Sequence, residues 1–143
     1  METEEKKNLL LKDLCARLPY RPILNWKFID NTSKDEELKE LSDLYIWWIT
    51  KAQDCEIKPY LRPMSSMTEE EKKEFSSLIN KVEERCINAY GKGGYTFAFI
   101  EVNDWLNAHH FDYRGLIPMG LALEAPEGMY NIQNISTKLE DAV

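Results

Sequence analysis

The sequence predicts an α+β domain, and three observations carry that prediction. Apolar residues recur at helical spacing in two long stretches, over residues 4–18 and about 69–90. Segments rich in aromatic and β-branched residues lie between and beyond them. The two kinds of segment do not alternate as a parallel βαβ fold requires. The expected architecture is one small domain over residues 1–131, with residues 132–143 as a C-terminal extension. It holds an N-terminal helix, a small antiparallel sheet, one long amphipathic helix (about 69–90) and a short C-terminal helix-loop region.

The elements follow in order. Leu10, Leu11, Leu14, Cys15 and Leu18 share one helical stripe, Lys12, Asp13 and Arg17 lie off it, and Pro19 ends the helix. Within residues 21–30, Trp26 and Phe28 alternate with Asn25 and Lys27, the pattern of a half-buried strand. Asp30, Asn31, Thr32 and Ser33 have turn chemistry. Ser33 and Glu36 stand at capping-box spacing, which predicts a helix over 34–43. Residues 44–50 read either as its continuation or as a strand, because their aromatic and β-branched run suits both periods.

Residues 57–67 read as extended or looped, with Pro59 and Pro63 each turning its predecessor away from helix. Thr68 and Glu71 form a second capping box, and Glu69, Glu70 and Glu71 place acids where the helix dipole favours them. Phe75, Leu78, Ile79, Val82, Cys86 and Ala89 then mark one apolar helical face, closed by Gly91. The glycines at 91, 93 and 94 make a turn rather than a phosphate loop, since they follow a helix instead of preceding one. Residues 95–102 read as a strand, with a short helix capped by Asn103 or Asp104 running to about His110. Residues 120–125 add a short strand, and the last dozen residues, with Ile132, Ile135 and Leu139 at helical spacing, form a last helical turn or fray.

Composition narrows the function classes. Among 143 residues, 25 Asp and Glu face 18 Lys and Arg, a formal net charge of −7. That acidity disfavours a nucleic-acid binder. No run is long and apolar enough to span a membrane. Cys15, Cys55 and Cys86 form no CxxC pair, so they read as free buried thiols of a reducing, cytoplasmic protein. No cofactor is expected.

Four places invite a functional reading. His109, His110 and Asp112 could handle a proton or a metal. Neighbouring imidazoles on a helix diverge by about 100°, however, so a structural use is favoured, with one ring packed inward and the other facing water. Tyr113 and Arg114 follow directly, and an Asp112–Arg114 bridge fixing the loop outweighs an anion site. Trp47 and Trp48 are adjacent, so one of them can stand at the surface as an interface anchor, though core packing of both is favoured. No catalytic motif of the common hydrolase, kinase or dinucleotide-binding types occurs.

Residues 9–20 (LLLKDLCARLPY), 58–71 (KPYLRPMSSMTEEE) and 104–131 (DWLNAHHFDYRGLIPMGLALEAPEGMYN) together resemble a family of small uncharacterised proteins of gut Bacteroidetes bacteria and their phages or prophages. The resemblance covers 54 of the 143 residues. It implies no activity, cofactor or catalytic residue, and it favours strand over residues 44–50. Arg21 stands where that family commonly places Gly after Leu-Pro-Tyr.

The leading expectation is a non-enzymatic phage or mobile-element accessory protein that binds a host or phage protein. Its contact surface would involve Trp47, Trp48, or the 104–114 segment with Tyr113 and Arg114. The alternative is a small metal-dependent or acid/base enzyme using His109, His110 and Asp112. A third reading is a structural subunit that oligomerises through the Trp-rich segment.

Overall fold

Residues 3–85 and 94–130 are described in this computed structural model. Helix α1 (Thr3–Arg17) leads through a 3-10 turn, Leu18–Tyr20, into strands β1 (Ile23–Phe28) and β2 (Ser33–Glu37). Then come α2 (Asp43–Thr50), β3 (Cys55–Leu61), α3 (Glu69–Arg85), α4 (Gly94–Ala108) and β4 (Leu123–Glu124). The α+β class read from the sequence is the class of the molecule.

The sheet order is β2-β1-β3-β4. Strand β1 is antiparallel to both neighbours, whereas β4 runs parallel to β3. The expected antiparallel sheet is therefore mixed at one edge. Register places Leu24 opposite Pro59 and Trp26 opposite Ile57, so their side chains share one face. That face packs with Leu10 and Leu14 of α1 and Ile49 of α2 in the first core. The other face is polar: the Asn25 amide (3.0 Å) and the Tyr60 hydroxyl (2.9 Å) both donate to Asp35. A sheet covered on one face needs this alternation, and β1 supplies it.

The second core lies between α3 and α4. Phe75, Leu78, Ile79 and Val82 meet Val102, Trp105, Leu106 and Phe111. Complete burial of one such side chain stabilises by about 1.5–3 kcal/mol, so this pairing is a major source of stability.

Several expectations change. The helix expected over 34–43 is an edge strand, β2, and all five of its side chains are exposed. A three-residue turn with Asn31 in the left-handed region (φ 67°) folds the chain back onto β1. Main-chain pairing with β1 outweighs the capping box there, and the apolar stripe of Leu38, Leu41, Leu44, Tyr45, Trp48, Ile49 and Ala52 that suggested a helix forms one only from Asp43 on. The charged Ser-Lys-Asp-Glu-Glu sequence also suits an unpaired edge. Residues 44–50 are helix, against the strand favoured by the resemblance. Ser42 starts that helix, its side chain accepting from the Tyr45 amide.

Residues 95–102 belong to α4, not to a strand. The apolar face of α3 requires a cover, and a helix carrying Val102, Trp105 and Leu106 at helical spacing provides it. Asp13 and Arg17, which the spacing placed off the buried stripe, are fully buried, while Cys15 is exposed and Cys55 half-buried. Arg21 adopts φ 49°, so the turn after Leu-Pro-Tyr forms with Arg in the left-handed conformation that Gly adopts freely. The end of the expected helix (86–90, with Cys86 and Ala89), the turn residues 91–93 and the extension 132–143 lie outside the described residues. No helix among the described residues is long and apolar enough to cross a membrane.

The start of α2 provides a direct check. Ser42→Ala is expected to cost about 1 kcal/mol in chemical denaturation, because the Tyr45 amide loses its acceptor. An unchanged midpoint would mean that Ser42 does not cap the helix.

Candidate functional site

The two histidines sit at the end of α4 and close it. The His110 amide donates to the Asn107 carbonyl (3.1 Å), and the Phe111 amide to that of Leu106 (3.0 Å). With His110 at φ 61°, this is a Schellman ending, completed by the stacking of Phe111 on Trp105. Gly usually fills the left-handed position; His is among the few other residues enriched there. Both imidazoles are buried, against the expectation that one faces water. The His110 ring lies flat on Tyr130, centroids 3.7 Å apart.

His109 turns the other way. Its Nδ1 lies 2.8 Å from Oε2 of Glu71, 38 positions earlier. Glu71 is also held by both Nη atoms of Arg62, at 2.6 and 2.8 Å. The capping box read from the sequence is present as well: the Glu71 carboxylate accepts from the Thr68 amide (3.0 Å), and the Glu71 amide donates to the Thr68 hydroxyl (3.1 Å). One glutamate thus caps α3, neutralises a buried arginine and anchors a histidine.

Electrostatics follow from these contacts. Burial pushes the Glu71 carboxyl up, but Arg62, the Thr68 amide and His109 outweigh it and hold it at about 2. Burial pushes the His109 imidazole below its ordinary value, against the pull of Glu71. The result is a charged Glu71–Arg62 pair with a neutral imidazole that donates from Nδ1 to the carboxylate. The Arg62 guanidinium lies 4.2 Å above the Phe111 ring, and the His109 ring stacks on Trp105 at 4.0 Å. The arrangement fastens the end of β3 to the start of α3 and the end of α4.

Asp112 takes no part in that cluster. Its two carboxylate oxygens accept from the amides of Leu116 (2.8 Å) and Ile117 (2.9 Å), which folds the loop after α4. The proton-handling pair of a histidine with Asp112 is therefore replaced, for His109, by a pair with Glu71. The expected Asp112–Arg114 bridge is replaced too: Arg114 Nε donates to Asp13 at 3.1 Å. Asp13 also binds Arg17 at 2.7 Å, and Arg17 Nη2 donates to the Phe111 carbonyl at 2.7 Å. The Tyr113 ring meets both guanidiniums, 5.0 Å from Arg17 and 5.3 Å from Arg114, and its hydroxyl donates to Asn107. Among the described residues, no three His, Cys, Asp or Glu side chains are placed to hold a metal ion.

The tryptophans divide as a helix requires. Trp48 is half-buried and packs edge-on against Trp26, centroids 6.1 Å apart. Trp47 is 48% exposed, and Leu44, one turn earlier on the same side, is 65% exposed. The other expected contact surface, residues 104–114, is buried throughout 105–112. Spacing pointed to Trp47 and to the Thr68–Glu71 box, but nothing local marked Arg62, Asp13 or Arg17. No family model, no curated protein and no solved structure matches this chain.

Proposed function

We propose that this chain is a non-enzymatic, cytoplasmic accessory protein of a phage or mobile element, and that it works by binding a host or phage protein through α2. The phage or mobile-element part rests on the resemblance of its three segments. The exposed pair Leu44 and Trp47 carries the binding part: two large apolar side chains one turn apart on the outer side of a helix whose inner side, with Ile49, packs on the core. A Trp at the centre of an interface is a frequent anchor, because it buries a large area with few rotatable bonds. Of the residues that suggested catalysis, His109 and Asp112 are committed to internal contacts, and so are Tyr113 and Arg114 of the other expected binding surface, which leaves α2 as the surface that supports the reading.

The test is affinity capture from a bacterial host, with wild type beside Trp47→Ala and a charge-matched acidic protein. Wild type is expected to retain a defined partner, and Trp47→Ala to weaken that complex by about 2 kcal/mol, or roughly 30-fold. The same substitution should cost the fold only about 1 kcal/mol, since the ring is half exposed and meets Trp48 edge-on. Recovery of nothing above the acidic control would sink the proposal.

A further inference from the structure

A cavity of about 240 Å³ opens between the start of α1, the end of α2 and the start of β3, away from both the histidines and Trp47. Its floor is core: Leu10, Ile49, Ala52 and Ile57 are each 4–5% exposed. Its mouth is cationic. Thr3, Lys6, Lys7 and Leu10 follow the spacing of one helical stripe, which brings both lysines to the rim, and Lys58 of β3 also lines the cavity. Lys58 is paired with Glu56 at 3.3 Å. Lys6 and Lys7 are half-buried, and among the described residues no carboxylate lies within 4.0 Å of either ammonium. With Lys58 neutralised by Glu56, Lys6 and Lys7 leave the lining of the cavity net positive, a local reversal of sign in a chain of net charge −7.

We propose that this cavity binds a small monocarboxylate with a short apolar tail, the tail on the core floor and the carboxylate between Lys6 and Lys7. The size suits such a ligand. The volume equals about eight waters at ~30 Å³ each, enough for a tail of medium length and too little for a long lipid chain. Apolar lining with a few placed polar groups is the usual division of labour in small-molecule sites. The Cys55 thiol also lines the cavity. Burial, then the neighbouring Asp54 charge, push it up against the opposing pull of Lys7, so it stays protonated.

The probe is octanoate, titrated into the full chain with amide shifts read by NMR. Acetate supplies the head alone and octan-1-ol the tail alone. Octanoate is expected to give saturable shifts at residues 3–10, 52–58 and 119–121, with an affinity at least about tenfold above either control. Lys6→Gln with Lys7→Gln, two changes at the rim that leave the floor intact, should weaken octanoate at least about fivefold and remove most of its salt dependence. No saturable octanoate shift up to 10 mM, or shifts confined to other regions, would overturn the site. Equal binding of octan-1-ol, or an unchanged affinity in the double variant, would overturn the anion recognition.

Discussion

Glu71→Ala is expected to destabilise the protein by about 3–5 kcal/mol, the cost of leaving a buried charge without its partner. Arg62 is only 9% exposed, and its guanidinium loses both contacts to the carboxylate. The same change removes the acceptor of the Thr68 amide and of His109 Nδ1. For a chain of this size the loss corresponds to a fall in Tm on the order of 10 °C. Thr68→Ala, which removes the cap alone, should cost only about 1 kcal/mol. Comparable losses in the two variants would show that the Arg62 and His109 contacts contribute little.

The cluster also sets a pH dependence. The Glu71 carboxyl titrates at about 2 in the folded chain against an ordinary 4.5, so the unfolded chain takes up this proton first on acidification. Its contribution is complete above about pH 4.5 and is lost as pH falls toward 2. His109 acts with the same sign at higher pH. Its imidazole is held below 6.5 in the folded chain, so acidification below that value favours the unfolded state. Urea midpoints of the wild type should fall steadily below pH 6.5, and Glu71→Gln should flatten the part between 4.5 and 2.

Asp13→Ala is the second large effect, again about 3–5 kcal/mol. Asp13 and Arg17 are fully buried, and Asp13 is the carboxylate between Arg17 and Arg114. Arg17 already has one donor, Nη1, without a hydrogen-bond partner among the described residues, so it has little reserve. Replacing both members by apolar residues of similar volume, Asp13→Leu with Arg17→Met, should recover most of the loss, because no buried charge is then left alone. Arg114 is a quarter exposed and can turn to water. A double-mutant cycle measures the coupling, expected at about 2 kcal/mol or more. Additive single losses would mean that the two side chains stabilise independently.

Both clusters show where local reading stops. Residues 68–71 carried their own signature, because a capping box is satisfied within one turn. The second role of Glu71 depends on Arg62 and His109, which reach it only after β3, α3 and α4 are assembled. Asp13 and Arg17 stand at i, i+4, an ordinary surface pair by spacing. They are buried because the loop after α4, with Phe111, Tyr113 and Arg114, folds over that side of α1. The histidines misled for the opposite reason. Two adjacent imidazoles look like chemistry in a sequence, but in the structure they are the last residues of a helix ending.

By itself the sequence determined the α+β class, the first helix, strand β1 with its turn at Asp30 and Asn31, and the capped start of α3. Each rests on a period or a cap completed within a few residues. Tertiary structure decided the rest. Residues 33–37 became an edge strand because β1 offered a free row of backbone partners. Residues 94–108 became a helix because the apolar face of α3 needed cover, which outweighed local β-propensity. Which charges are buried was decided there too, since burial depends on the segments that close over a side chain, and those come from distant parts of the chain.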